Sequence, residues 1–238
     1  MDAFGGRTLT IVGAGRVGSA LATALRASSA EINGPVRRGQ RVAGDIVLLA
    51  VPDREIEAAM TAAPANALLG HTAGALTLDV FAGREAFSFH PLMTVTDGHA
   101  NFAGASAAIA GTSPAALTVA REIATRLMME PIEIREADRA AYHAAASIAA
   151  NFLVTLESMA AEVGASAGLE RRHLLPLARA ALENWGLLGA RALTGPIVRG
   201  DHDTFHRQRA AVASISPELL PLWDALASAT GRRAQQVS

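Results

Sequence analysis

Three polar side chains with hydrogen-bonding or proton-exchanging groups recur at intervals of four residues in the stretch YHAAASIAAN, residues 142–151. They are His143, Ser147 and Asn151. On an α-helix this spacing places them on one face, each about one turn above the last. Histidine exchanges a proton near neutral pH, and serine and asparagine form hydrogen bonds. The stripe therefore predicts either a reactive site or a hydrogen-bonded seam against the sheet domain or a second copy.

Further candidates lie at the ends of predicted elements. His90 ends a predicted strand and precedes a proline, a position where α/β folds often keep functional groups, although a turn histidine bonded to the backbone also fits. Thr194 and Arg199 lie between predicted helices in LTGPIVRGD, residues 193–201. Arg199 is suited to bind a substrate carboxylate, or to form an ion pair with Asp201 within an ordered turn.

A metal site is not predicted. His202 and His206 have the i, i+4 spacing of a helical metal pair, but the chain has no H-E-x-x-H motif. Asp203 or Thr204 is better interpreted as the N-cap of a helix. A serine hydrolase is also excluded, because no G-x-S-x-G motif is present.

The clearest binding motif is the hexapeptide GAGRVG near the N-terminus. It follows a predicted strand and opens a predicted helix, the context that dinucleotide binding requires. Gly13 permits a tight turn, Gly15 allows the backbone to approach a pyrophosphate, and Gly18 allows close helix–strand packing. The predicted cofactor contacts in this loop are Gly13, Ala14, Gly15, Arg16, Val17 and Gly18. The alternative is a glycine turn without a ligand.

The residues expected to select the cofactor are basic. NAD-binding domains usually place an acidic residue about 20 positions after the glycine loop, to hold the ribose 2′-OH. Here Arg37 and Arg38 occupy that neighbourhood, with Arg41 close behind. Arginines suit the 2′-phosphate of NADP, so NADP is favoured over NAD. A solvated basic loop is the alternative.

Composition limits the classes of function. The 238 residues contain no cysteine, carry a formal net charge of −1 and include no lysine, so thiol and lysine chemistry are excluded. Nucleic acid and anionic membranes are unlikely partners at this charge. The strongest apolar stretch, residues 42–51, is too short to span a bilayer, and no signal peptide is recognised. A soluble, cytoplasmic protein is expected.

The pattern of elements changes along the chain. Up to residue 135, apolar strands alternate with helices, which predicts an α/β fold with a mostly parallel, Rossmann-type sheet. Strands are predicted at residues 9–12, 31–38, 45–53, 67–73, 87–92, 104–111 and 131–134, with helices at 54–63 and 113–129. The remainder is predicted to be all-helical, with helices near residues 136–167, 169–190, 203–213 and 217–230. Two domains are expected, residues 1–135 and 136–238.

Seven segments, taken in order, resemble one bacterial family. They are the glycine loop, LLAVPD (48–53), HTAGAL (71–76), FHPLMT (89–94), YHAAASIAANF (142–152), ALENW (181–185) and LTGPIVRGD (193–201). Together they resemble Rossmann-like proteins with a helical C-terminal domain of unknown function, in the 6-phosphogluconate dehydrogenase C-terminal-like superfamily. Those proteins are described as NADP oxidoreductases related to pyrroline-5-carboxylate and ketopantoate reductases.

The resemblance implies a layout for the site. Ala50, Val51 and Pro52 would line the cofactor groove, and Thr72, Ala73 and His90 would approach the nicotinamide. The first long helix of the second domain would cover the nicotinamide, with the substrate between the domains. The helical domains would form a homodimer.

The sequence departs from these related enzymes at one catalytic position. Hydroxyacid dehydrogenases and ketopantoate reductases of the superfamily carry a K-x-x-x-N pair on that helix, whereas SIAAN places Ser147 at the lysine position and keeps Asn151. Serine does not exchange protons easily near neutrality. We therefore hypothesise that Ser147 and Asn151 hold the substrate while His143 supplies or relays the proton. A dinucleotide-binding sensor without turnover is the alternative.

Overall fold

The computed structural model describes residues 3–236. The chain divides into two compact units, Met1–Ile148 and Ala149–Ser238. The first unit continues past residue 135, where the change in composition predicts a boundary. It does so because the helix Arg139–Ser147 is anchored to the sheet: the buried Arg139 side chain donates to the Ser88 hydroxyl.

The first unit is built on one seven-stranded sheet, in the order β2-β1-β3-β4-β5-β6-β7. The strands are β1 Leu9–Val12, β2 Ile32–Val36, β3 Ile46–Leu49, β4 Leu68–His71, β5 Ala86–Leu92, β6 Ser106–Gly111 and β7 Glu130–Glu133. Neighbouring strands are parallel except β5 and β6. The predicted α/β fold class is confirmed. The strand order reverses at β1, so the loop after β1 lies at a topological switch point, where such sheets bind ligands.

Helices and short helical turns cover both faces of this sheet. They are α1 Arg16–Ala27, α2 Ile56–Met60, α3 Pro114–Arg126 and α4 Arg139–Ser147, with 3₁₀ turns at Ala3–Gly6, Asp53–Glu55, Leu78–Phe81 and Glu136–Asp138. Leu9 and Ile11 belong to the core that includes α1 and α3. Val47 and Leu49 belong to the core that includes α2. Because both faces are covered, β1 and β3 are buried throughout, including the polar Thr10 of β1.

The second predicted strand is confirmed despite the glycine and proline that it contains. Gly34 and Pro35 lie within β2, and β2 is the edge strand of the sheet. Proline lacks the N–H that an interior strand must donate, so an edge position tolerates it. Because β2 ends at Val36, Arg37 and Arg38 lie in the turn that directly follows its carboxyl end.

The second unit is helical, as predicted. Its helices are α5 Leu153–Ala165, α6 Arg171–Leu188, α7 Pro196–Arg199, α8 His202–Ile215 and α9 Leu220–Gln235, with 3₁₀ turns at Gly189–Ala192 and Pro217–Leu219. Two details differ from prediction. Residues 193–201 contain the short helix α7. The N-cap of α8 is Asp201, whose carboxylate accepts from the Thr204 N–H at 3.0 Å, and is neither Asp203 nor Thr204.

The helix predicted near residues 136–167 is confirmed as one helical run, Glu136–Ala165, but its hydrogen-bonding pattern changes part-way along. Between α4 and α5 the chain forms a π-helix, Ile148–Phe152. His143 and Ser147 both lie in α4, so their four-residue spacing keeps them on one helical face. Asn151 lies in the π-helix, where hydrogen bonds run from i to i+5, and α-helical stacking on Ser147 no longer follows from the spacing.

One helical run has the length and composition of a membrane span. Glu136–Ala165 comprises 30 residues with a mean hydropathy of 1.4 in its most apolar window, and none of that window is buried. Alanines and the larger apolar side chains Ile148, Phe152 and Val154, all three of them exposed, contribute to this hydropathy. Length and composition do not distinguish a span from a helix that packs on protein, so the expected absence of a membrane partner stays a prediction.

Substituting Gly18 by alanine is expected to destabilise the first unit by about 2 to 3 kcal/mol, since the new Cβ would overlap backbone that cannot move aside easily. That Cβ would lie 1.9 Å from the Gly13 carbonyl oxygen. Gly15→Ala is the matched control, with an expected cost below about 1 kcal/mol, because its φ is −74° and its Cβ meets no described atom. Urea unfolding of both variants measures the difference, and equal midpoints would contradict the packing role of Gly18.

Candidate functional site

The glycine loop between β1 and α1 is shaped by close backbone contacts. Gly13 has a φ of +110°, in the region that favours glycine, and its N–H donates to the Val36 carbonyl oxygen at 2.9 Å. A Cβ on Gly13 would lie 2.3 Å from the Ala50 carbonyl oxygen, and one on Gly18 would meet Gly13 itself. The turn and packing roles predicted for Gly13 and Gly18 are confirmed.

Gly15 differs because the space at its side-chain position is open. No atom of the described residues lies within 4 Å of a Cβ built there. Gly15 is also the N-cap of α1, and no side chain caps this helix. The first N–H groups of α1 are therefore free to bind an anion, and the macrodipole of a helix favours negative charge at this end.

A cavity of about 620 Å³ opens beside the glycine loop, along the carboxyl ends of β1, β2 and β3. The predicted cofactor contacts that line it are Gly13, Ala14, Gly15, Arg37, Arg38, Ala50, Val51 and Pro52. The others, Arg16, Val17, Gly18, Thr72 and Ala73, are not among its lining residues. Val17 packs against the core and Gly18 is buried beneath the loop, which explains why neither reaches the cavity.

A basic turn closes one side of this cavity. The Arg37 N–H donates to the Gln40 side-chain oxygen at 2.7 Å, and the Gln40 N–H donates to the Arg37 carbonyl oxygen at 3.1 Å. Arg38 pairs with Glu55 at 3.1 Å on the surface. The Arg37 guanidinium has no ion-pair partner among residues 3–236. The turn therefore presents one free guanidinium and one in an exposed pair, which solvent and salt weaken.

A second group of polar side chains, the histidine–tyrosine cluster (His90, Tyr142 and His143), joins β5 to α4. The His90 Nδ1 lies 2.6 Å from the Tyr142 hydroxyl oxygen, and the two rings meet edge to face. The His143 ring lies 6.0 Å from that of His90, centroid to centroid. The structure thus brings together two of the predicted catalytic residues, His90 and His143.

Gly74 provides the space in which the two imidazoles meet. A Cβ on Gly74 would lie 3.0 Å from His90 Nε2 and 2.5 Å from His143 Cδ2. Gly74 follows β4 by three residues, so the cluster lies at the carboxyl edge of the parallel strands. The glycine loop follows β1 at the same edge, which is where α/β sheets bind ligands.

A buried arginine anchors α4 in this position. Arg139 is 1% exposed and donates from Nε to a Glu136 carboxylate oxygen at 2.8 Å, and from Nη2 to the Ser88 hydroxyl. The other Glu136 oxygen accepts from the Leu78 N–H at 2.6 Å. Ser88 and His90 are two residues apart on β5 and project from the same face. The anchor and the cluster therefore share one face of the sheet.

His71, which ends β4, is fully buried in the same region and stacks on Phe81 with 5.6 Å between ring centroids. Neither ring nitrogen makes a hydrogen bond of acceptable geometry with any described residue. The Thr77 backbone is near enough to raise its pKa slightly, but burial dominates, and together with the Arg139 charge it lowers the pKa of His71 to about 4. His71 is therefore neutral at physiological pH.

Two groups of the cluster, His90 and Tyr142, are also held neutral. Burial, followed by the neighbouring His143 and Arg139, lowers the pKa of His90 to about 4. Burial raises the pKa of Tyr142 to about 12, against a smaller opposing effect of Arg139. At pH 7 the hydrogen bond between His90 and Tyr142 therefore joins two uncharged groups.

The remaining predicted residues lie outside the histidine–tyrosine cluster. Ser147 ends α4, and the Asn151 carbonyl oxygen accepts from the Thr155 hydroxyl at 3.1 Å. Thr194 precedes α7 and Arg199 ends it. The Asp201 carboxylate caps α8, and this hydrogen bond to Thr204 lowers the pKa of Asp201. The Arg199–Asp201 ion pair that the sequence suggested as an alternative is not formed in the structure of residues 3–236.

A family model for a domain of unknown function, DUF2520, matches residues 105–230, slightly more than half of the chain. The chain belongs to the DUF2520 family. The match includes all of α4, the π-helix and the helices through α8, and with them three of the seven segments that carried the sequence resemblance. No curated protein matches this DUF2520 chain significantly.

Solved structures show the same fold over nearly the whole chain. A Thermotoga maritima protein is 23% identical, with a TM-score of 0.82 and coverage of 95% of this chain and 99% of its own. A Bacteroides fragilis protein with a suggested NADP oxidoreductase activity is 20% identical, with a TM-score of 0.81 and coverage of 95% and 98%. The 1-pyrroline-5-carboxylate reductase of Streptococcus pyogenes is 17% identical, with a TM-score of 0.61 and 97% coverage of each chain.

Sequence reasoning missed two residues of the site, Tyr142 and Arg139. Tyr142 is the only tyrosine of the chain and precedes His143 directly. Arg139 lies four residues before His143, on the same helical face. In the sequence it is the last charged residue before Glu157. A lone arginine at the start of an apolar helix indicates a possible anchor. If its guanidinium is buried, its N–H groups must donate to acceptors on other elements.

The stability of the first unit is expected to fall as the pH drops from 6.5 towards 4. His71 has a folded pKa of about 4 against an ordinary 6.5, so the unfolded state binds more protons in this window and acid favours unfolding. The effect of His71 alone is on the order of 3 kcal/mol at pH 4. Urea unfolding at several pH values measures it.

His71→Gln should flatten this pH dependence, while His99→Ala, a change at an exposed histidine, should retain it. Carboxylates contribute to acid unfolding equally in all three proteins, so the difference isolates His71. An identical pH dependence in His71→Gln would contradict the assignment.

Proposed function

We propose that this protein is an NADP-dependent oxidoreductase that acts on a small molecule with a C=O or C=N bond. The observation that carries the proposal is the open glycine loop: Gly15 leaves its side-chain space empty at the uncapped start of α1, beside the 620 Å³ cavity. Uncapped N–H groups at a helix start suit a pyrophosphate. Gly13, Ala14 and Gly15 would hold it, and Ala50, Val51 and Pro52 would contact the rest of the dinucleotide.

The basic turn supports NADP over NAD. The Arg37 guanidinium is free of an ion pair and lines the same cavity as the glycine loop, while the Arg38 pair with Glu55 is exposed and exchangeable. A 2′-phosphate would receive charge-assisted hydrogen bonds from both arginines. No acidic residue occupies the end of β2, where NAD-binding domains keep one.

The chemical step would belong to the histidine–tyrosine cluster. A bound nicotinamide supplies or accepts a hydride. Because the chain has no lysine and Ser147 is a poor proton donor, His143 is the residue that we assign to proton exchange, with His90 beside it. The roles of Ser147, Asn151, Thr194 and Arg199 in holding the substrate remain sequence-based proposals. The fold shared with the streptococcal pyrroline-5-carboxylate reductase supports the reductase class.

NADPH should bind more tightly than NADH, and Arg37→Ala and Arg38→Ala should each lower NADPH affinity by about 10- to 100-fold, the loss of a charge-assisted hydrogen bond. NADH affinity should change little. Arg41→Ala is the matched control, because Arg41 is exposed but does not line the cavity. Gly15→Ala should weaken both cofactors, since its Cβ would enter the phosphate space.

Isothermal titration calorimetry measures these affinities. Equal wild-type affinities for the two cofactors would contradict NADP preference. Binding of neither would contradict the proposed function as a whole.

Turnover is tested by NADPH consumption with panels of keto acids, aldehydes and imines. Where a substrate is found, His143→Ala should lower kcat at least about 100-fold, the usual contribution of a general acid or base. Its NADPH affinity should stay unchanged, and His99→Ala should behave as wild type. Asn151→Ala tests the proposed substrate contact in the same assay. Tight NADPH binding without turnover on any panel would favour the alternative, a dinucleotide-binding sensor.

A homodimer through the helical unit and a cytoplasmic location are also proposed. The support for the dimer is the apolar surface of α6, on which Leu177, Trp185 and Leu187 are 70%, 65% and 81% exposed. Apolar side chains so strongly exposed along one helix are typical of a surface that a partner covers.

A further inference from the structure

The hydrogen bond between His90 and Tyr142 has a direction that follows from the chemistry of its two groups. A phenol is a far stronger acid than the N–H of a neutral imidazole, and an imidazole nitrogen is a far stronger base than a phenol oxygen. Over the 2.6 Å that separates them, the Tyr142 hydroxyl is therefore the donor and His90 Nδ1 the acceptor. Both groups are neutral at pH 7, because burial lowers the pKa of His90 to about 4 and raises that of Tyr142 to about 12.

This direction determines which nitrogen of His90 keeps a hydrogen. A neutral imidazole carries one N–H, so a nitrogen that accepts leaves the hydrogen on the other. With Nδ1 occupied by Tyr142, the hydrogen of His90 is on Nε2. The partner of one ring nitrogen sets the tautomer of the whole ring.

The Nε2 atom of His90 lies over Gly74, beside the edge of the His143 ring. A Cβ on Gly74 would lie 3.0 Å from this nitrogen, and 2.5 Å and 3.1 Å from Cδ2 and Nε2 of His143, so the two imidazoles occupy the position that a side chain would take. The Nε2 atom of His90 makes no hydrogen bond with a described residue and is not fully buried. Its N–H is therefore accessible to a small polar ligand atom that approaches from the exposed side of the ring.

We propose that Tyr142 is a positioning residue that holds His90 as the neutral Nε2–H tautomer, so that His90 donates a hydrogen bond to the carbonyl oxygen or imine nitrogen of the substrate. This rests on the proposed function. His90 keeps its proton throughout, so the hydrogen bond adds neither atoms nor charge to the reaction. It polarises the C=O or C=N bond, and proton exchange is left to His143. Two adjacent histidines thereby have different roles, set by their partners.

The tautomer is measured by nitrogen NMR of the full-length, uniformly ¹⁵N-labelled protein at pH 7 without cofactor. Imidazole nitrogen shifts and their couplings to ring protons distinguish Nε2–H from Nδ1–H, and loss of signals in His90→Gln assigns His90. We expect a single Nε2–H tautomer in the wild type. An Nδ1–H tautomer would overturn the proposal, and this measurement needs no variant that alters Tyr142.

Tyr142→Phe keeps the ring and removes only the donor. We expect His90 to become a mixture of tautomers, while the signals of the exposed His99 stay unchanged as the internal control. An unaltered His90 tautomer in this variant would show that another group sets it, which overturns the role of Tyr142.

With a substrate found, Tyr142→Phe should lower kcat by about 10- to 100-fold and leave KM and the NADPH dissociation constant unchanged, as for other residues that orient a functional side chain. A changed tautomer with full kcat would overturn the catalytic consequence. Failure of the proposed function is distinguishable, because it appears as absent NADPH binding while the tautomer is measured on the cofactor-free protein.

Discussion

The buried guanidinium of Arg139 is the interaction on which the candidate site depends. It joins α4 to the sheet through Ser88 and to the preceding 3₁₀ turn through Glu136, which itself receives the Leu78 N–H. A guanidinium buried without such partners would be prohibitively costly, so the sheet and α4 must meet in one register. One turn along α4 from this anchor, Tyr142 and His143 are placed beside His90. The position of the cluster is thus a consequence of satisfying one buried charge.

The same charge also controls the state of the histidines around it. His71 and His90 are near a permanent cation in a desolvated region, and both effects oppose a second positive charge. The site therefore offers neutral imidazoles, which donate and accept hydrogen bonds without adding charge. In the proposed reaction, neutral His90 would polarise the substrate through its N–H, and His143 would exchange the proton. A chain without lysine can in this way retain both a polarising group and a proton-exchanging group.

The two halves of the candidate site were unequally predictable. The glycine loop was predictable because its signal is local: three glycines at fixed spacing lie between an apolar strand and a helix. The contacts that require Gly13, with Val36 and Ala50, are long-range, but the motif does not need them to be recognised. The basic turn was predictable from its two arginines, but the strand before it was less so, because Pro35 disfavours an interior strand. The tertiary structure places β2 at the sheet edge, where proline is tolerated. The π-helix after Ser147 was not predictable, because a π-helix cannot be distinguished from an α-helix by side-chain periodicity over five residues.

By itself, the sequence determined the α/β class, the order of the strands along the chain, the glycine loop and the exclusion of thiol and lysine chemistry. These follow from residue types and short-range spacing. Only the tertiary structure decided that Tyr142 bonds to His90, that Gly74 packs against two imidazoles, and that Arg139 is buried. These contacts join residues that are distant in sequence, and which ones meet depends on strand order and helix docking, which the local pattern of the chain does not encode.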